Sequence, residues 1–178
     1  ISGEIIQKNN VERKGLDSNI TQQALSMLIE DEQTITRKST VLFHPEWHKG
    51  VIGIVASRLT EHYYRPTIIL TESNGFASGS ARSVRDFDVY EAIDACSDLL
   101  VQFGGHKYAA GLTLKLENIE PFREKFERVV SERIDEDMLI PAIEIDLEIA
   151  LPSIDDKLYR IIRQFAPFGP GNMNPVFR

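Results

Sequence analysis

FGGHKYAAG, Phe103 to Gly111, sets two adjacent glycines, a histidine and a small-residue triplet between a helical pattern and a strand pattern. A single glycine is enough to end a helix, because it enters the left-handed region without a Cβ penalty. The second is in excess of that need. Together Gly104 and Gly105 bare backbone N–H groups to close approach, with His106 beside them as a neutral or cationic donor. What this stretch separates decides the fold.

On its upstream side, Asp88 to Phe103 reads as a helix. Asp88 is the cap, Glu91 stands at the capping-box position, and Val89, Ala92, Ile93, Cys96, Leu99 and Leu100 line one face. Downstream, Leu112, Leu114 and Leu116 alternate with Thr113 and Lys115, the period of a half-buried strand. Asn118 then caps a helix with Phe122, Phe126, Val129 and Val130 inward.

Further upstream, Thr40 to Phe43 is a short strand ended by Pro45, and Val51, Ile52, Val55, Ala56 and Leu59 form an amphipathic helix closed by Arg65-Pro66. Thr67 to Leu70 suggests a strand covered on both faces. Asn74-Gly75 signals a tight turn, and Phe76 to Ser83 continues as the second strand of a hairpin. The order β-α-β-β-α-β-α indicates an α/β domain.

Two flanking pieces differ in character. From Leu16 to Glu32, Ile20, Ala24, Met27 and Leu28 recur at helical spacing, with Asp17 or Ser18 as a cap. After Glu136, Ile143, Ile145, Leu147 and Ile149 alternate with acidic residues, Ser153 to Phe165 looks helical, and Pro167-Phe168-Gly169-Pro170-Gly171 breaks the pattern. The expected division is a connecting helix and linker over 1–38, the α/β domain over 39–137 and the opening of a further module over 138–178. The chain starts at Ile1 and stops at Arg178 after an apolar Pro-Val-Phe, so it reads as a piece of something longer.

Its 178 residues, 42% hydrophobic and 26% charged, suffice for a core. No run approaches the ~20 apolar residues of a membrane span and no signal-peptide pattern opens the chain, which makes a cytoplasmic location the default. The single cysteine, Cys96, excludes an internal disulfide and a multi-cysteine zinc site. A net charge of −7 argues against diffuse binding of a phosphate polymer, so an anion site must be local.

Several constellations fail on inspection. In His44-Pro-Glu-Trp-His48 the glutamate is one place late for HExxH, and Pro45 bars the helix that would align the histidines. Ser78 occupies the fourth place of Gly75–Gly79, not the third that a nucleophile elbow needs. Asp94 and Asp98, one helical turn apart, read first as a solvated face. No metal site is expected in these residues. What remains is three donor-rich segments: His48-Lys49-Gly50 before a helix N-terminus, Ser78 to Ser83 with Arg82, whose planar fork matches phosphate, and Gly104-Gly105-His106. Together they point to phosphate recognition.

WHKGVIGIVASRL (47–59), RPTIIL (65–70), SGSARS (78–83), FDVYEAIDACSDLLVQFGGHKYAAGLTL (87–114) and APFGPGNMNPVF (166–177) resemble the bacterial RecJ family, single-strand-specific 5′ to 3′ DNA exonucleases. GGHxxAAG is shared by the wider DHH phosphoesterase superfamily, where it marks the DHH-associated domain.

The resemblance implies a DHH-associated domain with a mixed sheet flanked by helices, followed by the start of a β-rich oligonucleotide-binding (OB) module. It implies phosphodiester hydrolysis in DNA repair and recombination, with Mn²⁺ or Mg²⁺ held by an upstream domain, since no Asp-His-His tripeptide occurs here; the fragment alone would then be inactive. Single-stranded DNA is the implied partner, with a helicase or a single-strand-binding protein as protein candidates. Carried over by position, His48, Ser80, Arg82, Gly104, Gly105 and His106 contact substrate, and His106 also serves the catalytic centre. The alternatives are a DHH phosphodiesterase acting on short oligonucleotides or cyclic dinucleotides, and a non-catalytic nucleic-acid-binding relative.

Overall fold

The computed structural model describes residues 2–31, 34, 36–169 and 171–178, with residues 2–14 described by their backbone alone. Glu32 and Pro170, which the sequence patterns include, lie outside the described residues. The chain divides into two compact units, Ile1–Ile140 and Pro141–Arg178.

The first unit is built on a five-stranded mixed sheet in the order β1-β2-β3-β5-β4. Its elements are α1 (Ser2–Glu30), β1 (Thr40–Phe43), α2 (Ile52–Tyr63), β2 (Thr67–Ser73), β3 (Phe76–Arg82), α3 (Val89–Asp94), β4 (Leu100–His106), β5 (Ala109–Lys115) and α4 (Ile119–Arg133). Strand β1 runs parallel to β2, as a strand-helix-strand crossover through α2 requires, and the remaining pairings are antiparallel. Asn74 and Gly75 join β2 to β3 with φ of 55° and 77°, the positive values that a two-residue hairpin turn demands. Tyr64, in the left-handed region, ends α2 just before Arg65-Pro66.

The two faces of the sheet bury different sets. On one, Ile68, Leu70, Ala77, Ala81, Leu112 and Leu114 meet Ala92, Ile93 and Cys96 around α3, and Phe122, Phe126 and Val130 of α4. On the other, Leu42 and Ile69 meet Val51, Val55, Ala56 and Leu59 near and along α2, together with Ile20, Ala24 and Leu28 of α1. This is the alternation expected of a strand covered on both sides. Polar ties fasten the layers. Glu127 of α4 accepts from the backbone N–H of Lys38 and Ser39 at 2.8 and 2.9 Å, fixing the start of β1. Arg65, buried, donates to Thr40 Oγ1 and to the carbonyls of Thr34 and Arg37, which pins the connection from α1 to β1.

Asp17 is not a cap. It lies inside α1, its side chain 5% exposed, and pairs with Arg58 of α2 at 2.6 Å. The helical pattern over 88–103 is also corrected: α3 stops at Asp94, a 3-10 turn spans Ser97–Leu99, and β4 begins at Leu100. The apolar spacing is helical only as far as Cys96. Beyond it Leu100, Gln102 and Phe103 pair with β5, with a bulge between Leu100 and Gln102. The order is therefore β-α-β-β-α-β-β-α, and Asp94 and Asp98 do not share a helix; Asp98 bonds Lys125 instead, which lowers its carboxyl pKa. Leu116 leaves the strand for a 3-10 turn, and Asn118 caps nothing with its side chain but donates to the Leu99 carbonyl.

In the second unit the alternation over 143–149 forms no strand. It makes one parallel bridge, Leu147 to Phe177, with flanking bonds from Asp146 N–H to the Val176 carbonyl and from Ile149 N–H to the Arg178 carbonyl. The helix here is α5, Asp156–Arg163, capped by Asp155, shorter than the pattern over 153–165.

Candidate functional site

The ladder explains how segments far apart in sequence come together. Register pairs Arg82 with Ala109 and Ala109 with His106; two residues along, it pairs Ser80 with Gly111 and Gly111 with Gly104. Side chains directly opposite in a ladder project to the same face. Because Ala110, Leu112 and Leu114 enter the α3–α4 core, this row system faces the other way, toward the side on which α2 lies.

Helix α2 covers only part of that side. Its first turn carries Gly53, where an added Cβ would stand 3.0 Å from an Arg82 guanidinium nitrogen and 3.1 Å from Ser80 Oγ, so the glycine lets the helix close directly onto these two side chains. The N-cap residue of α2, Val51, supplies no side-chain bond, and no acidic residue occupies the first turn. The helix thus brings its positive end beside Arg82 without an internal anion. Arg82 Nη1 donates to Ser80 Oγ at 2.9 Å and to the Ala81 carbonyl at 2.7 Å. Among the described residues no carboxylate pairs with it. Beyond α2 the sheet is bare: Gln102, Gly104, His106 and Gly111 are exposed.

The two glycines have different jobs. Gly104 has open space where a Cβ would be. Gly105, at φ 153°, has its Cα against β5: a Cβ would lie 2.3 Å from the Ala109 carbonyl oxygen and 2.5 Å from Ala110 Cα. Gly105 is there so that the hairpin can close. Neither glycine ends a helix; both lie inside β4. His106 Nδ1 accepts from Tyr108 N–H at 3.3 Å, which in the neutral ring leaves the proton on Nε2, available to a ligand.

His48 stands elsewhere. Its Nδ1 accepts from Gly50 N–H at 3.1 Å, and its ring lines a groove with Gln23, His44 and Trp47. Its neighbour Lys49 is the residue that reaches the open sheet, where it borders a groove of about 380 Å³ with Ser78, Gln102, Gly104, Gly111 and Thr113. Reading the residues as separate loops missed Gln102, Gly111 and Thr113. Reading Leu100–His106 as a strand would have placed Gln102 in phase with Gly104 and His106.

This donor set does not suit a divalent cation, which takes oxygen ligands from carboxylates and carbonyls. Among the described residues no group of three or more His, Cys, Asp or Glu side chains is placed to hold a metal ion. Among the described residues no helix is long and apolar enough to cross a membrane.

Comparison with known proteins agrees with this architecture. The DHHA1 domain family matches residues 36–132 and the RecJ OB domain family matches residues 145–178. The single-stranded-DNA-specific exonuclease RecJ of Bacillus subtilis is 36% identical over 177 residues, 98% of this chain and 22% of that protein. The protein of the same name from Escherichia coli is 29% identical over 175 residues, 94% of this chain and 30% of its own length. Crystal structures of Thermus thermophilus RecJ in complex with Mg²⁺ and with Mn²⁺ each superpose with a TM-score of 0.84 at 29% and 28% identity, covering 98% of this chain and 26% and 25% of theirs. The chain thus spans less than a third of the length of these relatives. Residues 36–132 and the segment that follows place this chain in the DHHA1 domain family, with the DHHA1–OB arrangement of RecJ.

Proposed function

We propose that this chain is the substrate-holding part of a metal-dependent, single-strand-specific DNA exonuclease that hydrolyses phosphodiester bonds in repair and recombination, acting in the cytoplasm. One observation carries the reading: the ladder sets Arg82, Ser80, Gly104 and His106 on one open sheet face, beside an α2 N-terminus free of internal anions. A phosphate there meets the Arg82 fork and the Ser80 hydroxyl, both charge-assisted donors to its non-bridging oxygens. His106 Nε2–H donates to the phosphoryl group under attack and helps hold the charge that grows on it. Gly104, lacking a Cβ, lets the backbone approach. Residues 39–137 form the substrate-binding domain in this reading, with 1–38 connecting and 138–178 opening the OB domain.

The divalent ions belong to a domain outside this chain, where they would supply water activation; without it the chain alone has no nuclease activity. The matched OB segment favours a long single strand over a dinucleotide as substrate, with a helicase or single-strand-binding protein as partner. The test is 5′ exonuclease activity of the full-length protein after Arg82→Ala and His106→Ala. We expect kcat/KM to fall about a hundredfold or more for each, the usual effect of removing one preorganised donor to a developing oxyanion. Near-normal rates for both variants refute the assignment.

A further inference from the structure

The rows on the open face continue past the proposed phosphate grip. Along β3 the residues facing this way are Arg82, Ser80 and Ser78; β5 matches them with Ala109, Gly111 and Thr113, and β4 with His106, Gly104 and Gln102. The first two rows hold the sheet residues already assigned to substrate. The third, Ser78–Thr113–Gln102, is unassigned, and the 380 Å³ groove opens over it, flanked by Lys49. That volume is within the roughly 300–1,000 Å³ of small-ligand sites.

Successive rows are two residues apart, about 6.8 Å along an antiparallel strand. An extended nucleic-acid strand repeats its phosphates at a comparable spacing. The middle row is glycine on β5 and β4: nothing lies within 4 Å of a Cβ built at Gly104, and only the Gly79 carbonyl, at 3.8 Å, near one at Gly111. A sugar can therefore lie flat between the first and third rows.

The third row has the chemistry of a phosphate contact. It offers two hydroxyls and a carboxamide, with the Lys49 ammonium beside them, and among the described residues no acidic side chain lines the groove although the chain carries a net charge of −7. Among the described residues Lys49 makes no ion pair. Among the described residues the one aromatic that lines the groove is Phe103, which also packs against the α3–α4 core. The geometry points to a second subsite, in which Lys49, Ser78, Thr113 and Gln102 hold the phosphodiester one nucleotide away from the group gripped by Arg82 and Ser80. This rests on the reading of Arg82 given above.

The experiment compares two substrates in the full-length protein: 5′-phosphorylated oligothymidylate, and the p-nitrophenyl ester of thymidine 5′-monophosphate, which carries one phosphate. Lys49 and Gln102 are exposed, so Lys49→Ala and Gln102→Ala are expected to fold. The ratio of kcat/KM for the oligonucleotide to that for the ester is expected to fall about tenfold in each variant, the worth of one charge-assisted hydrogen bond. In Arg82→Ala both values fall and their ratio stays near that of the wild type. For Lys49→Ala the salt dependence of log KM should also flatten by ~0.7, as for one lost phosphate contact on a single strand. An unchanged ratio in both variants overturns the subsite. Full activity of Arg82→Ala on the ester overturns the reading beneath it, by a different readout.

Discussion

The sheet contains two antiparallel hairpins of equal strand length that have opposite fates. In β2–β3, Thr67 to Thr71 are buried on both faces, Ile68 and Leu70 against α3 and α4 and Ile69 against α2. In β4–β5, one face is bare and β4 is the edge strand, its residues almost all exposed or half-buried. The first hairpin supplies folding free energy through apolar area removed from water. The second contributes a flat, polar surface whose free face is available to a ligand. The difference lies in cover: α2 lies over β2 and β3, and its first turn carries Gly53, where an added Cβ would meet Arg82 and Ser80, whereas β5 and β4 lie beyond it.

If that contrast is right, substitutions in the two halves should diverge. Phe126→Ala, in the α4 layer under the covered half, is expected to lower unfolding free energy by about 3–5 kcal/mol, whereas Gln102→Ala on the bare face should change it by no more than about 0.5 kcal/mol. Denaturant titrations of both variants check this, and similar losses would break the comparison.

The glycine pair sharpens it at single-residue scale. Gly105→Ala drives a methyl into the β5 backbone from a φ that side chains avoid, and should cost on the order of 3 kcal/mol by strain and overpacking together. Gly104→Ala meets open space, so its stability should shift by less than about 1 kcal/mol, and its effect should instead fall on substrate KM. Equal destabilisation would remove the distinction between a hairpin-closing glycine and a ligand-facing one.

The smallest expected effect tests the covered side by titration. Burial pushes the Cys96 thiol from 9.0 up to about 11, because the thiolate loses its hydration among apolar neighbours; Lys125 opposes this weakly. The folded state then binds more protons than the unfolded one between about pH 9 and 11. Stability from this group is intact below pH 9 and is lost as pH rises through that window, to a total on the order of 2 kcal/mol. Comparing unfolding free energy against pH for the wild type and Cys96→Ala isolates it, and superimposable slopes above pH 9 would refute the shift.

Much of the fold was readable locally. The strand at Thr40–Phe43, the α2 periodicity, the Asn74-Gly75 turn and the inward face of α4 each follow from signals inside one window, and the structure has them where they read. The misread segment, Leu100–His106, carries an apolar spacing that continues the helix of Val89–Asp94 by a residue or two, while its partner strand lies three residues further on, after a turn with no strong signature. The donor residues were legible as types, a guanidinium, hydroxyls, an imidazole and bare glycine, but not as an arrangement.

By itself the sequence determined composition, turn chemistry and periodicity, which are properties of neighbours within a helix turn or a strand repeat. The RecJ resemblance, too, is carried by short stretches of this kind. Tertiary structure alone decided that Asp17 would grip Arg58 rather than cap a helix, that Gly105 would close a hairpin while Gly104 faces outward, and that Gln102 and Thr113 would stand in one row with Ser78. Those outcomes depend on the register between strands and on where α2 ends, and register is settled only when whole faces are buried together: slipping a strand by one residue would turn every side chain on it to the opposite face.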